Sequence, residues 1–167
     1  LESIAPLLQW LEHTPLAVAI AESNWAFPAI ETLHVIALAL VIGTVCVVDL
    51  RLLGWASARR PYRELAREVL PWTWAAFCLS VMTGSLMFIT QAAEYYGNTA
   101  FRIKLFLLLL VGINMLIFEV MTARGAARWE HDLRAPWPGR VAAALSLMLW
   151  ISIVFFGRRI GFTMTPG

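Results

Sequence analysis

Glu31 and His34 stand three residues apart near the start of Pro28–Asp49, an apolar run long enough to cross a bilayer. Ionisable side chains are costly in hydrocarbon, so the pair is expected to face a protein interior or a ligand. An imidazole in that setting is an ordinary ligand for haem iron or for copper. Depth along the helix selects its companions. At 1.5 Å per residue, Glu31 lies about 4 to 5 Å and His34 about 9 Å from the Pro28 end. In the second apolar run Ser80, Thr83, Gly84, Met87, Gln91 and Glu94 recur at spacings of three and four, the small or polar stripe that bundle interiors prefer. Met87 counts to roughly 10 Å from Glu94, level with His34. Lys104 enters the third run about level with Glu31, which allows an ion pair between them, and Arg158 and Arg159 end the fourth run on the same side.

Together these residues define an expected polar pocket in the outer half of the membrane. His34 and Met87 are its candidate metal ligands, Lys104, Arg158 and Arg159 its cofactor-binding cations, and Glu31, Gln91 and Glu94 its remaining polar wall. Asp49 follows Glu31 by five helical turns, so the two carboxylates share one face, expected to point inward, near opposite membrane boundaries. Asp49 and Arg51 are expected to anchor the inner end of the first span against the loops. Plainer roles compete at each position. Lys104, Arg158 and Arg159 can reach lipid headgroups, Met87 suits packing, and His34 can bond Glu31 or a neighbouring helix. Gly43, Gly84 and Gly112 fit close helix packing. His131, within Trp129-Glu130-His131-Asp132, reads as a solvated loop residue or a partner contact.

The elements that must carry these residues follow from composition. Of 167 residues, 60% are hydrophobic and 14% charged, which excludes an ordinary soluble domain and fits a polytopic membrane protein. Eight Trp and nine Phe suit interfacial aromatic belts, and a net charge of +2 gives no reason to expect nucleic acid. Cys46 and Cys78 each fall inside an apolar run and read as buried reduced thiols. The chain opens at Leu1 without a signal-peptide pattern. Residues 1–27 are mixed, with Ile4, Leu7, Leu8 and Leu11 at helical spacing, and predict an extracytoplasmic interfacial segment bent near Pro15. Residues 28–167 predict an all-α up-down bundle of four transmembrane helices at about 28–53, 70–96, 101–123 and 139–160, with Pro28, Pro71 and Pro138 in first turns. Arg51, Arg59, Arg60, Arg63 and Arg67 follow the first run, and Arg124, Arg128, Arg134 and Arg140 follow the third. The positive-inside rule then places both loops in the cytoplasm and both termini outside a bacterial inner membrane.

Glu31-Thr-Leu-His34 opening a helix that ends Asp49-Leu-Arg51-Leu-Leu-Gly54, Thr83-Gly84 in the second run, and Tyr96-Gly97 followed by Phe101-x-x-Lys104 and Asn114 carry a resemblance. The whole chain resembles an uncharacterised family of small four-helix bacterial inner-membrane proteins. More distantly it is similar to the CopD-type copper-resistance membrane domain and to HemJ, the membrane protoporphyrinogen oxidase that binds b-type haem. That likeness implies that His34 and Lys104 are the positions to carry over.

The leading expectation is a haem-b-binding redox or electron-transfer subunit with His34 as axial ligand, Met87 or an open position opposite, and Lys104, Arg158 and Arg159 near the propionates. The alternatives are copper handling through His34 and Met87, a non-catalytic subunit of a membrane complex with other membrane or periplasmic partners, and an ion carrier using Glu31 and Asp49.

Overall fold

Gly54 ends the first long helix by adopting a left-handed conformation (φ 76°), and its amide hydrogen-bonds back into the last turn. Only a residue without Cβ takes that geometry at no cost, so the helix stops there and the chain reverses. A computed structural model of the chain describes residues 4–57, 59–121, 123–129, 132 and 134–163. All regular structure among them is helical. The order is α1 (Ala5–Glu12), α2 (Pro15–Ala21), α3 (Ala26–Leu53), α4 (Tyr62–Thr90), α5 (Ala92–Gly97), α6 (Thr99–Met121), a 3₁₀ segment (Ala123–Arg128) and α7 (Trp137–Thr163). The helices α3, α4, α6 and α7 are long and apolar enough to cross a membrane. Many large apolar side chains, such as Val35 and Ile36 on α3 and Leu109 and Leu116 on α6, are exposed, as suits helices solvated by lipid tails.

The four spans run up and down. Helix α3 packs along α4 and α7, and α6 packs along α7, whereas no Cα of α4 lies within 8 Å of one on α6. Lipid removes most of the hydrophobic drive for helix association, so packing and interhelical hydrogen bonds carry more of it. Thr73 on α4 donates to Thr44 on α3 at 2.9 Å, and the Asn114 amide on α6 donates to the Ala142 carbonyl on α7 at 3.0 Å. Bonds of this kind in membranes are worth about 0.6 to 2 kcal/mol each.

Two features differ from the sequence reading. The second span begins at Tyr62, not near residue 70, because Tyr62, Leu65 and Ala66 form a buried stripe that carries the helix through the arginine-rich segment; Pro71 therefore lies inside α4. The same helix stops at Thr90, and Gln91 (φ −147°, ψ 48°) turns the chain into α5. The Glu12 carboxylate of α1 accepts from the Ala93 amide at 2.8 Å, satisfying a free donor in the first turn of α5. Gln91 and Glu94 are thus off the continuous stripe that ends at Met87.

The N-terminal segment forms two short helices that meet at Thr14–Pro15, with the Thr14 hydroxyl capping α2. They lie against α4 and α5 and close one end of the bundle, the capped end. At the opposite, arginine-rich end, Leu52, Leu53, Tyr62, Trp129 and Ala135 pack into one cluster, with the Tyr62 and Trp129 rings 5.2 Å apart.

Candidate functional site

His34 reaches across from α3 to α4. Its Nδ1 lies 3.0 Å from the Thr83 hydroxyl oxygen. With the single hydroxyl proton on the Leu79 carbonyl, the shorter contact at 2.7 Å against 3.2 Å to Ser80 O, Thr83 accepts from His34 Nδ1–H. The neutral imidazole then keeps its lone pair on Nε2, turned away from Thr83. Gly84 supplies the seat: a Cβ built there would come 3.0 Å from His34 Cε1. Thr83 therefore sets the tautomer and Gly84 admits the ring, which gives the adjacent pair a joint role beyond general packing.

Lys104 has a looser neighbour. A Cβ at Gly157 on α7 would stand 3.8 Å from its Nζ, an ordinary van der Waals contact, so the half-buried lysine lies along α7 at this level. His34 and Lys104 are near enough for the ammonium charge to act on the imidazole. Glu31 does not pair with Lys104. It is exposed, near Tyr95 of α5, and the inward face that it shares with Asp49 is covered only further along α3. Met87 is half-buried three residues beyond Gly84, and Gln91 and Glu94 are half-buried at the α4–α5 turn. Arg158 and Arg159 are exposed at the capped end, where Arg158 stacks 5.1 Å over the Phe162 ring. Arg159 borders a groove there with Asn98 and Thr163. His13 is exposed and its Nδ1 lies 2.7 Å from the Gln9 carbonyl of its own helix. His131 lies outside the described residues. Among the described residues no three His, Cys, Asp or Glu side chains gather as a metal site. Cys46 and Cys78 are free thiols, Cys78 exposed rather than buried.

Tyr95, outside the spans, is the titratable group with a clear pH consequence. Burial, then the charges of Glu31 and Glu94, push its phenol above the ordinary value near 10. A raised native pKa means that the stabilisation is complete below pH 10 and is lost as pH rises toward the native value. Tyr95→Phe is expected to flatten the fall of the thermal midpoint between pH 9 and 11; an unchanged slope would count against this role.

Asp49 and Arg51 occupy the arginine-rich end. Arg51 is fully buried, its Nε donating to the Arg60 carbonyl at 2.6 Å and its Nη2 to the Asp132 carbonyl at 3.0 Å. It thus ties the segment after α3 to the segment before α7. Asp49 is 6% exposed and faces Ser146 of α7. It lines a cavity of about 200 Å³ between the spans, which sequence reasoning missed because its walls come from four helices with no common spacing.

Four antiparallel spans, cross-tied in pairs and carrying a half-buried histidine on α3 and lysine on α6, define a multi-pass helical membrane protein. The model of the family of unknown function DUF6644 matches residues 21–163, and the chain belongs to that family. The match takes in all four spans. Comparison with curated proteins and with solved structures gave no match.

Proposed function

We propose that this chain is an inner-membrane redox or electron-transfer subunit that binds b-type haem through His34. The observation that carries the reading is the fixed imidazole, with Nδ1–H given to Thr83 and the Nε2 lone pair left for a ligand. Hydrogen bonding of the second ring nitrogen is how ligating histidines are oriented and kept in the right tautomer. Lys104, held against Gly157 and within electrostatic reach of His34, supplies a cation for a cofactor carboxylate. The likeness of Thr83-Gly84 and of Tyr96-Gly97, Lys104 and Asn114 to the CopD-type pattern, and of a first-helix histidine with a later lysine to HemJ, supports the same two positions. Bound haem would supply one-electron iron chemistry; the protein contributes an axial nitrogen, a counter-charge and a bundle that limits water.

The arginine-rich end, with Arg59, Arg60, Arg63 and Arg67 on one side and Arg124, Arg128, Arg134 and Arg140 on the other, supports a cytoplasmic orientation. The capped end and its His34 site then face outward. Gently purified protein is expected to show a Soret band and a pyridine-haemochrome signal, both lost in His34→Ala. Folded protein with neither, even after expression with added haem precursor, would remove the haem assignment; copper found instead, and lost with His34, would replace it with metal handling.

A further inference from the structure

The cavity beside Asp49 opens sideways. Between α4 and α6 the backbones stand apart along their whole length, yet aromatic side chains bridge the two ends of the gap: Tyr62 with Phe118 at 5.9 Å, and Phe88 with Phe101 at 5.6 Å. The middle is left as a slot, bordered by Trp74 and Phe77 on α4 and by Val111 and Met115 on α6. Trp74 is 52% exposed on this side. What enters here comes from the bilayer.

The polar atoms of the cavity limit what that is. Asp49 Oδ2 is buried and has no hydrogen-bond partner among the described residues. A buried oxygen left without a donor is a free-energy cost that a ligand donor would remove. Asn114 gives one of its two amide protons to Ala142, and Thr73 has one hydroxyl proton, directed to Thr44 or Val69, so the oxygens of both are acceptors. Ser146 reaches the Asp49 carboxylate, yet Oδ2 stays without a donor among the described residues, so an occupant that brings a hydroxyl meets this need. The volume of about 200 Å³ is below the roughly 300 to 1,000 Å³ of pockets that enclose a whole drug-sized ligand, so it suits a single-ring head whose tail stays in lipid. Trp74, Phe77 and Trp150 line it, and aromatic faces favour a flat ring.

We infer that the α4–α6 slot admits a membrane-dissolved ring compound with hydroxyl donors, of the hydroquinone class, whose hydroxyl is held by Asp49. This site is separate from the proposed haem position. Asp49 lies fifteen residues beyond His34 on α3, about 22 Å along the helix.

Gly112 provides a control, because it lines the cavity and a Cβ there meets nothing within 4 Å. A leucine at that position fills the slot and removes a helix-weakening glycine, so the variant is expected to fold. The test uses the full chain in nanodiscs under reducing conditions, titrated with a decyl-tailed benzohydroquinone and followed by tryptophan fluorescence and thermal midpoint. Saturable binding is expected, weakened at least tenfold by Asp49→Leu and by Gly112→Leu, and at least tenfold weaker for decylbenzene, which lacks hydroxyls. No binding to the wild-type protein, equal binding of decylbenzene, or binding unchanged in Gly112→Leu would overturn the inference. If Asp49→Leu fails to fold, Gly112→Leu and decylbenzene decide. His34→Ala is expected to leave hydroquinone binding intact, so loss of the haem reading and loss of this one are distinguishable.

Discussion

Arg51→Ala is expected to destabilise the protein by about 3–5 kcal/mol, a cost typical of removing one partner from a buried charged contact. The side chain is fully buried and gives charge-assisted hydrogen bonds to two backbone carbonyls, those of Arg60 and Asp132. Bonds involving a charged group contribute about 1.5–3 kcal/mol each, and removing the donor also leaves the carbonyls unsatisfied. Those carbonyls belong to segments that meet only at this end: one follows α3, the other precedes α7. Ala135 N, bonded to the Leu52 carbonyl at 3.1 Å, is the neighbouring tie. Lysine keeps the charge but loses the planar fork, so Arg51→Lys should fall between wild type and alanine. Arg60 is the internal contrast. It contacts Glu64 at 2.9 Å and Glu68 at 2.8 Å, yet all three side chains are well exposed, so water and salt screen the pairs. Denaturant unfolding in micelles should therefore rank Arg51→Ala far below Arg60→Ala; equal stabilities would refute the anchoring role of Arg51.

What the sequence revealed follows from which forces act along one helix and which act between helices. The four apolar runs were legible because a bilayer demands about twenty apolar residues wherever the chain crosses it. The start of α4 was not, since Tyr62 and Ala66 are buried by Trp129 and its neighbours, a tertiary effect with no membrane signature. Depth counting set His34 level with Met87, whereas its ring rests on Thr83 and Gly84, about one turn earlier in α4, and counting could not supply rotation. Hence Glu31 and Lys104, level by count, remain unpaired, while His34 and Lys104 come within electrostatic reach. The contact at Gly157 passed unnoticed for the same reason: nothing on α7 itself indicates that a lysine from α6 rests there. Asp49 was visible as a costly residue, whereas the cavity beside it arises from the absence of packing between α4 and α6.

Gly84 offers a test in which the sign of the effect, not only its size, reports the geometry. A methyl at Gly84 would stand 3.0 Å from His34 Cε1, and the ring cannot simply withdraw without lengthening its 3.0 Å bond to Thr83. Overpacking of this kind costs about 1–3 kcal/mol, so Gly84→Ala is expected to destabilise the wild-type protein despite alanine's better helix propensity. In a His34→Ala background the obstacle is gone, and the same change should stabilise by up to about 1 kcal/mol. The double-mutant cycle should thus give a coupling on the order of 2–3 kcal/mol. Thr83→Val should lower that coupling, because an imidazole freed from its hydroxyl partner can move aside. Gly84→Val extends the test to the proposed cofactor: if His34 carries haem iron, displacing the ring should abolish the Soret band as fully as His34→Ala does. Should Gly84→Ala stabilise the protein in both backgrounds, His34 does not rest on α4 in the folded protein, and the fixed Nε2 lone pair on which the haem reading depends would lose its basis.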